Sequence, residues 1–223
     1  MNRAAGLLLA LLASAGPAVH AQEVRERAPP VPPRLSVTLA RDSADALRPP
    51  VVRAEHLLDD GVFDGALRNG FSVRFHFRLE LWRKAPLFDH LEGDAAEWDA
   101  VVRLDPLTGE FDLIRTGGNV EHYTAMGPVS RALARSFTVE LLPPAAGTGT
   151  RYYYLATLDI ASLSQSELDE VERWLRGDVG PAISSRGGLA GALAVGARRL
   201  LIRLSGLPHR RLEARTPEFL AGR

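Results

Sequence analysis

FSVRFHFRLELW, residues 71–82, is the stretch that decides how this chain folds. Phe71, Val73, Phe75, Phe77, Leu79 and Leu81 alternate with Ser72, Arg74, His76, Arg78, Glu80 and Trp82. Successive side chains of an extended strand point to opposite faces, so this period predicts a long strand with one face in the core. Its polar face would carry Arg74, His76, Arg78 and Trp82 to the surface.

Just upstream, Val62, Phe63, Ala66 and Leu67 fall at helical spacing and Gly70 is placed to stop the turn, predicting a short helix over residues 62–69. Further back, Leu35, Val37 and Leu39 alternate with polar or small residues as a half-buried strand does, and residues 51–57 form a less regular strand. Downstream, the acidic stretch from Asp89 to Asp99 reads as a solvated loop. Ala100, Val102 and Leu104 then pair by pattern with Phe111 and Leu113, and Pro106 and Gly109 between them favour a β-hairpin. Gly127 and Pro128 suit the start of a helix over residues 129–135. Strands over residues 137–142 and 152–160 follow, joined by the Gly- and Pro-rich loop 143–150.

Ser164 and Glu167 form a capping box opening a helix over residues 164–176, which buries Leu168, Val171 and Leu175. A last helix, residues 189–204, puts Leu189, Leu193, Leu200 and Leu204 on one stripe with Arg198, Arg199 and Arg203 off it. Leu212 and Ala214, flanked by charges, close the domain as an edge strand. Antiparallel runs with turns between them predict a mainly β domain with helices (α+β). Its form would be an immunoglobulin-like antiparallel β-sandwich or a curved sheet, with the C-terminal helices packed on it. Strand and helix do not alternate, which argues against a parallel doubly wound sheet.

Met1, Asn2 and Arg3 precede an apolar run over residues 4–15, ended by Gly16 and Pro17. That is the pattern of a secretory signal peptide over residues 1–21, with cleavage between Ala21 and Gln22. The run is shorter than the roughly 20 residues that span a bilayer. Residues 22–33 hold Pro29, Pro30, Pro32 and Pro33 and read as a linker, leaving residues 34–223 as one domain with a helical extension from about residue 164. The chain has no cysteine, so packing rather than disulfides must stabilise it in an oxidising compartment. The expected location is periplasmic or secreted.

Lys plus Arg and Asp plus Glu are 27 each, so the net charge is zero and no overall field draws nucleic acid or lipid. From Arg173 onward, however, ten arginines face Asp178, Glu213 and Glu218. The acids from Asp89 to Asp99 lack the spacing of a calcium loop. No Gly-x-Ser-x-Gly elbow occurs, and the histidines form no pair at helical spacing that would hold zinc. No catalytic, cofactor-binding or metal-ligating residue is therefore assigned, and no cofactor is expected. The interaction candidates are the aromatic and arginine face (Arg74, His76, Arg78, Trp82) and the basic residues Arg198, Arg199 and Arg203, whose helix would allow contact with a membrane surface.

The order of these motifs resembles the bacterial domain-of-unknown-function family 4390. The likeness rests on an exported N-terminus, the Ala66, Leu67, Arg68, Asn69, Gly70 turn, the strand that follows it, the Asp105, Pro106, Leu107, Thr108, Gly109 hairpin and the strand from Tyr152. It implies an envelope-located protein without an assigned activity and carries over no site residue. The expected function is a non-enzymatic interaction module for an envelope protein or another envelope component. The alternatives are a hydrolase acting on an envelope substrate and a carrier of an apolar ligand.

Overall fold

The computed structural model describes residues 31–41, 43, 46–144, 149–163 and 207–221. Along them run β1 (Arg34–Thr38), β2 (Val51–Glu55), α1 (Asp64–Arg68), β3 (Ser72–Arg83), β4 (His90–Leu91), β5 (Ala96–Leu104), β6 (Phe111–Arg115), β7 (Val120–Tyr123), α2 (Met126–Leu133), β8 (Phe137–Thr138), β9 (Arg151–Leu163), β10 (His209–Arg215) and β11 (Phe219–Leu220). All strand pairs among the described residues are antiparallel. The described residues are thus mostly antiparallel β with few helices, as the alternating runs predict.

β3 lies inside an eight-stranded sheet of order β10-β9-β3-β5-β6-β7, with β4 beside β3 and β11 beside β9. β9 pairs with β3 over its whole length, from Ser72 opposite Leu163 to Arg83 opposite Tyr152. On its other side β5 covers Val73 to Leu79 and β4 covers Trp82 and Arg83. A smaller three-stranded sheet has the order β1-β2-β8, and β1 lies against β9 and β10.

Val73, Phe75, Phe77, Leu79 and Leu81 are at most 1% exposed. They meet Leu35, Val52 and Ala54 of the smaller sheet, Phe63 and Leu67 at α1, and Val129 and Leu133 of α2 in one cluster. The Phe77 ring stacks on Trp98, with centroids 5.2 Å apart and planes 4° apart, and Phe137 tilts against both. A one-residue slip of β3 would turn all five inward side chains to water, forfeiting on the order of 10 kcal/mol of burial. An exposed ion pair on the opposite face contributes about 1 kcal/mol at most. Apolar burial therefore fixes the register, and the charges follow it.

Several segments depart from the sequence expectation. The acidic stretch is not a loop throughout, since β4 and the first half of β5 lie within it. Glu97 and Asp99 stand opposite Arg78 and His76 of β3, and cross-strand cations make acids acceptable in a strand. β7 pairs with β6 after a turn in which Gly117 and Gly118 take φ of +95° and +77°. Its sequence, Val120 to Tyr123, has too little apolar alternation to announce a strand. The strand expected over residues 137–142 is hydrogen-bonded as a ladder only at Phe137 and Thr138. Its partner β2 is preceded by Pro50, which accepts from the Val139 amide at 3.0 Å but has no N–H to return. Val139 and Leu141 still pack against the core. The short helix is α1, with Phe63 rather than Val62 buried and Gly70 at φ +81° behind it. β10 lies at the sheet edge, as Leu212 and Ala214 predict. The signal peptide, most of the linker and the helices expected over residues 164–176 and 189–204 lie outside the described residues.

Replacing Phe75 with Ala is expected to cost about 3–5 kcal/mol in urea unfolding, as deletion of a fully buried aromatic ring does. Leu107→Ala, at a position 93% exposed, is expected to stay within about 0.5 kcal/mol of the parent.

Candidate functional site

The even-numbered residues of β3, Ser72 to Trp82, emerge on the face of the large sheet opposite the core, where strand pairing sets their neighbours. His76 stands between Asp99 of β5 and Asp159 of β9, and Asp159 stands next to Arg211 of β10. The Asp99 side chain is fully buried. It accepts from Arg74 through Nε at 2.6 Å and Nη2 at 3.0 Å, and His76 Nδ1 lies 3.1 Å from Oδ1. Burial pushes the Asp99 carboxyl up, but the hydrogen bonds and charges of His76 and Arg74 outweigh it and hold it below the ordinary aspartate value.

The pattern repeats across the face. Arg78 donates to Glu80 at 2.6 Å and to Glu97. Trp82 Nε1 donates to Glu80 at 2.9 Å, and the Trp82 ring stacks on Tyr153 with centroids 6.4 Å apart. Asp112 accepts from Arg103 at 2.9 Å and lies 2.7 Å from His122 Nδ1. The face expected to be exposed and available to a partner is therefore half-buried, and its cations already hold carboxylates. Packing brings Arg74, His76, Arg78 and Trp82 together, but mainly to neutralise one another's neighbours. Ala21, Gln22, Arg198, Arg199 and Arg203 lie outside the described residues.

A different arrangement occupies the end of the sheet where β3 leaves and β9 enters. Asp89 accepts from the Tyr153 hydroxyl at 3.0 Å, the Ala85 amide at 3.3 Å and Lys84 Nζ at 3.4 Å. Desolvation raises the Asp89 carboxyl, and these hydrogen bonds outweigh it and hold it low. Arg215 lies over the Tyr153 ring, 3.6 Å from its centroid. The base of the loop between β3 and β4 is thus anchored, while its tip carries Leu87 at 86% and Phe88 at 78% exposure. An open recess of about 950 Å³ lies beside the tip, lined in part by Arg83, Lys84, Arg151 and Glu218. Leaving two large apolar side chains in water forfeits about 3–5 kcal/mol of possible burial, and such paired exposure is a feature of contact surfaces. Leu87 and Phe88 belong to no strand or helix period, so periodicity does not single them out. Two bulky apolar residues directly after Pro86, in a segment with no room for a strand period, are the signal that marks them.

Among the described residues, no group of three or more His, Asp or Glu side chains is placed to hold a metal ion. Nor is any described helix long and apolar enough to cross a membrane. No family model, no curated protein and no solved structure gives a significant match to this chain.

Asp99→Asn is expected to destabilise the fold by about 3 kcal/mol at neutral pH, because it leaves Arg74 and His76 facing a partner without charge. The folded Asp99 titrates below its unfolded value, so its contribution is complete above about pH 4 and is lost as pH falls through the folded value. Urea midpoints followed down through this range should fall more steeply for the parent than for D99N.

Proposed function

We propose that this chain is an exported bacterial envelope protein, periplasmic or secreted after removal of residues 1–21, which acts by binding an envelope protein or another envelope component. The observation that carries the reading is the exposure of Leu87 and Phe88 on a loop whose base is anchored by Asp89. Loops held by a rigid sheet commonly carry recognition, and an apolar centre with a polar rim is the usual anatomy of a protein contact. Arg83, Lys84, Arg151 and Glu218 supply such a rim. Catalysis is the weaker reading, because the buried carboxylate Asp99 is held low by its partners rather than raised into the range of a general acid.

Two finer readings belong to the same proposal. The three-stranded and eight-stranded sheets share one core, which supports an immunoglobulin-like sandwich; the C-terminal helices rest on the capping box at Ser164 and the apolar stripes of the sequence. The motif order around β3 and the hairpin between β5 and β6 supports membership of the bacterial domain-of-unknown-function family 4390.

A photo-crosslinking residue in place of Phe88, in protein expressed with its leader, is expected to give a discrete adduct with one envelope component. The same residue in place of Leu107, which is more exposed than Phe88, should give none. Leu87→Ser with Phe88→Ser should abolish binding while leaving urea stability within about 0.5 kcal/mol of the parent. Equal labelling from both positions, or no adduct from either, would overturn the reading, and a purified chain that does not begin at Gln22 would remove its export component.

A further inference from the structure

On the outer face of the large sheet, one corner is apolar. Val101 is 0%, Ile114 6% and Leu163 2% exposed, and the three form a cluster separate from the main core. Val101 stands opposite Arg74 on one side and Ile114 on the other. Ser72, 2% exposed, stands opposite Leu163. α1, α2, β1 and β2 bury their apolar side chains in the main cluster on the other face, so these elements do not cover this corner. The guanidinium groups nearest it point elsewhere, that of Arg74 to Asp99 and that of Arg103 to Asp112.

The chain leaves the sheet at this same corner. Leu163 ends β9, and the chain returns at Pro208, whose carbonyl accepts from the Ser162 amide at 3.1 Å. β9 and β10 are hairpin partners, so residues 164–206 form an excursion tethered at both ends beside Val101 and Ile114. Its first part has the capping box at Ser164 and the stripe Leu168, Val171 and Leu175. Thirteen helical residues span about 20 Å, and the four strands β9, β3, β5 and β6 are about 14 Å across at the usual spacing. The apolar stripe follows in sequence directly on the strand that ends at the apolar corner, both are aliphatic, and a helix of this length is long enough to cross the four strands.

We infer that this corner is the docking site of the chain's own residues 164–176, seated by their Leu168, Val171 and Leu175 stripe on Val101, Ile114 and Leu163. An external partner is thereby kept from this part of the outer face, and the opposite end of the sheet, at Leu87 and Phe88, remains for binding.

The test is amide hydrogen exchange on the full mature chain. Amides of residues 164–176 should exchange about tenfold or more slower than in a synthetic peptide of the same sequence. Ile114→Asp should bring them close to the peptide rate while β3 and β9 stay protected. Should I114D unfold the sheet, Val101→Thr with Ile114→Thr provides the same comparison without introducing a charge. Peptide-like exchange in the parent would overturn the inference, and so would protection unchanged in a variant whose sheet is intact, since the cover would then be arginine stems. It would equally fail if protection scaled with protein concentration, pointing to a second copy, or arose only with phosphatidylglycerol vesicles, pointing to lipid.

Discussion

The inward side chains of β3 must leave water while the strand's main-chain groups remain hydrogen-bonded on both flanks, and the other described elements are arranged around that requirement. Val73 through Leu81 present five apolar side chains with exposure of at most 1%. β9 on one side, with β5 and β4 on the other, satisfy the backbone. The helices and the smaller sheet supply the opposing layer, with Phe63, Leu67, Val129, Leu133, Leu35 and Val52 filling the space above the strand. Pleating leaves no freedom thereafter: once Phe75 and Phe77 face in, Arg74, His76 and Arg78 face out.

That outward face shows how antiparallel pairing handles charge. The acids and bases lie on different strands and meet only through register, as Asp99 meets Arg74 and His76, and Asp112 meets Arg103 and His122. Each carboxylate is more buried than its cationic partners, so the cation is what makes burial of the acid tolerable. A face satisfied in this way has little left to offer a ligand. The Leu87 and Phe88 tip is the reverse case: its polar base is bonded to Tyr153 and Lys84, and its apolar end stands mostly in water. A neutralised face and an unsatisfied end thus differ in what they offer a partner, and the second has apolar surface left to bury.

Elements with a strong local signal were legible in the residues. β3, the β5–β6 hairpin and the turn at Gly70 carry either a strict period of two or a glycine at positive φ, both of which operate within a few residues. The 137–142 segment has the pattern of a longer strand than it forms, because its ladder depends on Pro50, a residue far away in sequence that cannot donate. β7 has no such signal, because it is held by pairing with β6 rather than by any apolar pattern of its own. Glu97 and Asp99 looked like loop acids for the same reason, their cations being on another strand.

By itself, then, the sequence determined that this is a mainly antiparallel β chain with a long half-buried central strand, since alternation and turn residues act locally and need no partner to be recognised. It also contained every charge of the outer face and both apolar residues of the tip. Only the tertiary structure decided which charges neutralise one another and which apolar residues are left in water. Those outcomes depend on strand order and register, and register is chosen by the burial energy of the whole sheet rather than by any residue on the face it exposes.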